Sequence, residues 1–168
     1  MKIKMIGVWF LSVLGLVGAP LEIGANVPDL QVTTTQGKSV KLAAEKGDEY
    51  LFVFFYPKAM TGGCTKQACS VQDAFEKLTD QKVTVFGVST DKMEAQKEFA
   101  EKEDLKYQLV ADPEGKVMAA YGVPLILGKM ASRQAYLFKN GKLIWRDLKG
   151  ATDSQGDEVL AAITASEK

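Results

Sequence analysis

Tyr50-Leu51-Phe52-Val53-Phe54-Phe55-Tyr56, followed at once by Pro57-Lys58-Ala59-Met60-Thr61-Gly62-Gly63-Cys64, is the stretch on which the fold turns. An almost unbroken apolar run rich in aromatic residues is the mark of a central strand covered on both faces. Pro57 has no N–H to give a sheet and ends the strand. Beyond it Ala68, Val71, Phe75 and Leu78 recur at helical spacing, with Lys66, Asp73, Glu76 and Lys77 between them. Cys64 therefore falls in the first turn of a helix that follows a buried strand. The first N–H groups of a helix lack internal partners and the macrodipole favours negative charge there, so the position favours a thiolate. Only the thiolate is strongly nucleophilic, and an ordinary thiol titrates near ~8.5. Gly62 and Gly63 leave the backbone before the thiol open to a close-approaching ligand. The bland alternative is a small buried side chain, a common fate of free cysteine.

Cys69 is the chain's only other cysteine. Residues five apart in a regular helix are roughly 8 to 9 Å apart at Cα, whereas disulfides rarely tolerate more than ~7 Å. A Cys64 to Cys69 bond thus requires local unwinding; two unrelated thiols are the alternative. A thioredoxin-type dithiol has two intervening residues, where this chain has Thr65, Lys66, Gln67 and Ala68. There is no histidine anywhere. Two cysteines alone do not complete a zinc or copper site, and Cys-His and Ser-His-Asp nucleophile systems lack their base. Activation of Cys64 falls to another cation. The candidate is Arg133, in Ala131-Ser132-Arg133-Gln134-Ala135-Tyr136-Leu137-Phe138 at the entrance to a later strand; only Arg146 shares its type. A guanidinium stays charged when partly buried, although a solvated surface arginine would read the same way.

These residues resemble a family. Pro57, Thr61 and Cys64 reproduce the Pro-x-x-x-Thr-x-x-Cys signature of the peroxiredoxins, and Arg133 matches their arginine at the start of a late strand. Val27-Pro28-Asp29-Leu30, Phe54-Phe55-Tyr56-Pro57-Lys58 and Cys64-Thr65-Lys66-Gln67-Ala68-Cys69 resemble the bacterioferritin comigratory subgroup, an atypical two-cysteine type. The likeness spans roughly residues 21 to 165. Gly62-Gly63 departs from a more usual proline-glycine pair, and Gln67 stands where glutamate is common.

The resemblance implies peroxide reduction without a cofactor or metal. Cys64 would attack the O–O bond of hydrogen peroxide or an organic hydroperoxide and become a sulfenic acid. Thr61 would hold the peroxide through a hydroxyl that both donates and accepts. Arg133, with the N–H groups of Gly63 and Cys64, would stabilise the thiolate and the charge moving onto oxygen. Pro57 would shield the thiolate from water. Cys69 would resolve the sulfenic acid to a disulfide once the first helical turns open, and a thioredoxin-like dithiol protein would reduce it.

At 168 residues and 46% apolar content the chain has room for one well-buried core. The expected fold is α/β and thioredoxin-like, with a central mixed sheet flanked by helices and an N-terminal β-hairpin. That hairpin is expected from Leu30 to Val32 and Val40 to Leu42. Val83 to Ser89 reads as a second buried strand, Met93 to Glu103 as a charged helix with Phe99 inward, and Val117 to Tyr121 as a short helix. Ala135 to Phe138 and Leu143 to Trp145 flank an Asn140-Gly141 turn, and a last helix is expected from about Asp153 to Ala165.

The 21 basic and 21 acidic residues are interspersed, with no basic stripe to bind nucleic acid. Lys92 to Lys106 reads as a solvated helix face. Lys2 and Lys4 precede the apolar run Met5 to Val17 and then Gly18-Ala19, the pattern of a secretory signal. Residues 1–20 are therefore read as a signal peptide or N-terminal anchor and 21–168 as the domain. The run is short for a membrane span, which needs ~20 residues. An exported, periplasmic protein is expected, with an uncleaved anchor as the alternative because Pro20 hinders cleavage after Ala19. The subgroup resemblance leans toward a monomer. An exported thiol-disulfide exchange protein without peroxidase activity and a redox-inert binding module stay open beside the peroxidase; in an oxidising compartment the cysteines could also form a static bond.

Overall fold

A computed structural model describes residues 18–47 and 50–168; the charged start and apolar run read as a leader lie outside the described residues. The expected hairpin forms as β1 (Gln31–Thr33) and β2 (Ser39–Lys41), and the chain then reaches β3 (Tyr50–Phe55), the apolar run itself. Every residue of β3 is buried. Parallel β4 (Val83–Ser89) lies on one side of it, with β5 (Gln108–Ala111) beyond. On the other side antiparallel β8 (Gln134–Lys139) pairs with β3 and with β9 (Lys142–Asp147), while β6 (Leu125–Ile126) and β7 (Met130–Ala131) form a separate small antiparallel hairpin. The main sheet thus runs β5-β4-β3-β8-β9, mixed, with the aromatic strand at its centre.

Alternation along β3 builds two cores. Tyr50, Phe52, Phe54 and Tyr56 enter one, with Cys64, Ala68 and Val71 of helix α1 (Gly62–Asp73). Leu51, Val53 and Phe55 enter the other, with Val32, Leu42, Val117 and Tyr121. Phe54 fits because its register partners are Gly87 and Ala135. A Cβ at Gly87 would lie 2.7 Å from Leu109 Cδ2 and 2.9 Å from Phe54 Cζ. Each fully buried aromatic of this kind contributes roughly 1.5–3 kcal/mol of transfer free energy.

The helices depart from expectation in detail. The stripe through Leu78 reads as one helix, but it is interrupted at Ala74 and resumes as α2 (Phe75–Asp80). The break falls where α5 (Gln155–Ser166) packs: Gly156 N–H donates to Ser70 Oγ, and a Cβ there would lie 2.2 Å from Ser70 O and 2.8 Å from Ala74 Cβ. Between them stand α3 (Met93–Lys102) and α4 (Lys116–Tyr121), both close to the expected bounds, while α5 starts two residues later than Asp153. The α3 face is less solvated than expected, since Gln96 is buried beside Phe99. In the β8–β9 turn Asn140 and Gly141 take φ of 50° and 78°, the mirror-image conformation that Asn-Gly favours.

Candidate active site

The strand-to-helix junction delivers Cys64 as expected. Thr61 is the N-cap of α1, and its carbonyl accepts the first helical bond from Thr65 N–H at 2.8 Å. The amides of Gly62, Gly63 and Cys64 therefore precede the helical ladder and point out of its positive end. The Cys64 side chain is only 2% exposed, in contact with the core that holds Tyr56, Ala59 and Ala68. Arg133, between β7 and β8, reaches it across the helix end: Nη2 donates to Cys64 Sγ at 3.5 Å. Nη1 donates to the side-chain carbonyl of buried Gln67, whose Nε2 donates to Gln155 Oε1 at 3.0 Å.

Gly63, which the usual proline-glycine pair shares, and Gln67, which departs from the family pattern, both bear on Arg133. A Cβ at Gly63 would come within 3.2 Å of Arg133 Nη2, so glycine lets the guanidinium lie against the helix start. Gly62 faces open space. Gln67 grips the guanidinium with a neutral oxygen where a glutamate would place a negative charge.

Thr61 and Pro57 lie on the loop that precedes α1. The Thr61 hydroxyl donates to Lys58 O at 2.9 Å, so its hydrogen is already engaged and its lone pairs are what remain to an incoming O–H donor. Pro57 is half-buried above Tyr56 in the chain, and Met60 takes φ 58°, a left-handed conformation uncommon outside glycine. A polar chain under this loop went unread in the sequence. Tyr56 donates its O–H to Gln96 Oε1; Gln96 Nε2 donates to Ser89 Oγ and Val110 O, both at 2.9 Å. Ser89 Oγ and Ala59 N–H both donate to Asp91 Oδ2 at 2.7 Å. Burial pushes the Tyr56 phenol far above its ordinary value, the largest of several influences, so it stays a neutral donor. The available signal was position: Ser89-Thr90-Asp91 leave the C-terminal end of a strand parallel to β3, where α/β sites gather.

Arg133 has a second support that no motif announces. Gly150, at φ +62°, passes so close that a Cβ would lie 2.2 Å from Arg133 Cγ and 2.7 Å from its carbonyl oxygen. Asp147 holds that loop, its Oδ1 accepting from Lys149 N–H at 2.9 Å and Oδ2 from Ala151 N–H at 3.0 Å.

Cys69 lies half-buried in the same unbroken helix as Cys64, and both are free thiols. Its Sγ donates to Glu103 Oε2 at 3.7 Å. Burial first, and then the Glu103 carboxylate, push this thiol up from its ordinary value. The helical separation rules out a Cys64–Cys69 disulfide in this conformation.

The chain is similar to known proteins over most of its length. The profile of the AhpC/TSA family matches residues 23–146. Peroxiredoxin Bcp of Bacillus subtilis is 38% identical over 138 residues, 77% of this chain and 87% of that protein. Peroxidoxin BcpB from Mycobacterium tuberculosis superposes with a TM-score of 0.79 at 31% identity, over 86% of this chain and 97% of that one. A bacterioferritin comigratory protein of Xanthomonas campestris, studied for alkyl peroxide reduction, matches with a TM-score of 0.78 at 26% identity, over 90% of this chain and all of that one.

Proposed function

Because the chain belongs to the AhpC/TSA family, and within it to the peroxiredoxins of the bacterioferritin comigratory type, we propose that Cys64 is the peroxidatic residue of this thiol peroxidase and Cys69 its resolving partner. The observation that carries the assignment is the Cys64 thiol at the head of α1 with the Arg133 guanidinium 3.5 Å from its sulfur. The thiolate attacks one peroxide oxygen; the S–O bond forms as the O–O bond breaks, leaving a sulfenic acid and releasing water or an alcohol. Arg133 and the Gly63 and Cys64 amides stabilise the charge that moves onto oxygen. Thr61 accepts a hydrogen bond from the peroxide, and Pro57 limits water at the thiolate. Hydrogen peroxide and organic hydroperoxides are both substrates in this reading; the activity named for the Xanthomonas protein supports the second class.

Cys69 then condenses with the sulfenic acid after α1 unwinds locally, and a thioredoxin-like dithiol protein reduces the disulfide by exchange. The same reading makes the protein a monomer, exported to the periplasm on its N-terminal leader; the Lys2, Lys4 and Met5 to Val17 pattern supports export, and an uncleaved anchor is the alternative. Among the described residues no helix is long and apolar enough to cross a membrane.

The test is peroxide consumption with a thioredoxin-like reductant, hydrogen peroxide and an organic hydroperoxide being supplied in turn. Turnover that Cys64→Ser abolishes is the expected result. Disulfide exchange with the reductant in the absence of any peroxide consumption would replace the peroxidase by an exchange protein.

A further inference from the structure

The thiol of Cys69 is tied down in the folded helix by a segment outside the site described above. Its partner Glu103 closes α3: the Glu103 N–H donates to Phe99 O at 3.1 Å, and Phe99 is fully buried, 5.8 Å from the Tyr56 ring. The backbone that carries the carboxylate is therefore anchored to the core. Two further hydrogen bonds join the chain after α3 to the same part of α1. Lys106 N–H donates to Gln72 Oε1 at 2.7 Å, and the Tyr107 hydroxyl donates to Ala68 O at 2.9 Å. Tyr107 is itself buried edge-on against Phe54. The Ala68 carbonyl precedes Cys69 and Gln72 lies almost a turn beyond, so residues 103–107 hold the helix on both sides of the thiol. The charges acting on it are the carboxylates of Glu103 and of Asp73 on α1, with the Tyr107 phenol beside it, kept neutral by burial.

We propose that Glu103 is a positioning residue for the resolving step: it keeps the Cys69 thiol protonated and docked on folded α1, and so sets how long the Cys64 sulfenic acid persists. The inference rests on the peroxidase reading. In the resolving step Cys69 loses its proton and its sulfur attacks the sulfur of Cys64–SOH. The S–S bond forms as the S–O bond breaks, and the departing hydroxide takes the proton as water, with no outside oxidant or reductant. Only the thiolate attacks, and a carboxylate against the thiol holds the proton on. Unwinding of α1 carries Cys69 away from Glu103, so the thiol gains reactivity at the moment it gains reach. Until then the sulfenic acid is exposed to a second peroxide, which would carry it to the sulfinic acid.

Two measurements compare wild type, Glu103→Gln and Glu103→Asp. In a Cys64→Ser background, alkylation of Cys69 by iodoacetamide is followed against pH; the midpoint moves to lower pH in Glu103→Gln and stays near the parent in Glu103→Asp. This readout needs no peroxide, so it is independent of the peroxidase reading. With Cys64 present, one equivalent of hydrogen peroxide followed by acid quench and mass analysis should show the disulfide forming several-fold faster in Glu103→Gln near neutral pH. Excess peroxide should leave less sulfinic acid in that variant. An unmoved midpoint, or slower disulfide formation in Glu103→Gln as loss of a proton acceptor would produce, overturns the proposal. Wild-type Cys64 that peroxide does not oxidise would overturn the peroxidase reading instead.

Discussion

Arg133 divides its guanidinium between two acceptors, Cys64 Sγ through Nη2 and Gln67 Oε1 through Nη1. The fork gives it a fixed aim that a lysine point charge lacks. Arg133→Met should cut the rate of Cys64 oxidation by hydrogen peroxide about ten- to hundred-fold, the loss of ~1.5–3 kcal/mol for a hydrogen bond to a charged group. Rapid-mixing kinetics on the reduced protein would measure it; a rate within twofold of wild type would remove Arg133 from the chemistry. Gln67→Glu tests this neutral grip. A carboxylate at this buried position would pair with the guanidinium and weaken its hold on the thiolate, so oxidation should slow several-fold with the fold intact. The fold tolerates the change because Gln155 Nε2, buried and with no hydrogen-bond partner among the described residues, can turn to donate to the new carboxylate. An unchanged rate in Gln67→Glu would mean that the neutral grip has no catalytic consequence.

At the scale of elements, the loop around Gly150 bears directly on the site because it packs on the stem of Arg133. Gly150→Ala forces a side chain into a left-handed backbone, which costs about 1–3 kcal/mol, and drives its Cβ into Arg133. Chemical denaturation should show lower stability, and peroxide kinetics a slower Cys64; full retention of both would mean the loop simply shifts. This loop also shows where reading the sequence stops. The aromatic strand, the thiol at a helix start, the Asn140-Gly141 hairpin and the N-terminal hairpin are each written in local pattern, and the structure has them all. Gly150 depends on what lies across the fold from it. So do Gln96, which hides among the charges of α3 and yet braces Tyr56, and the break at Ala74, set by α5 arriving from a distant part of the chain. Short β5 carries too few residues for any periodicity to show. Arg133 was legible as a candidate from composition and motif, but its distance from Cys64 is a property of β8 pairing with β3.

For the whole molecule, the crowding of aromatic side chains on both faces of one sheet has a cost at high pH. Tyr56, Tyr107, Tyr121 and Tyr136 are all pushed up by burial, Tyr136 to about 12. The unfolded chain releases these protons near ~10 while the folded protein still binds them, so stability falls as pH rises through that window. Denaturant midpoints for reduced protein should hold between neutral pH and about 9, then drop steeply above ~10. A flat profile would mean that the phenols are solvated. The same sheet bears on function through its centre, since β3 ends at the loop that starts α1, the helix that the proposed resolving step unwinds. The most direct test is to add one equivalent of hydrogen peroxide to the reduced protein and to its Cys64→Ser and Cys69→Ser variants, and to identify the products by intact mass and peptide mapping. The wild type should lose two hydrogens to a Cys64–Cys69 disulfide, Cys69→Ser should stop at a Cys64 sulfenic acid, and Cys64→Ser should not react. Thiols left untouched in the wild type, or Cys69 oxidised in the absence of Cys64 as fast as in its presence, would contradict Cys64 as the peroxidatic residue.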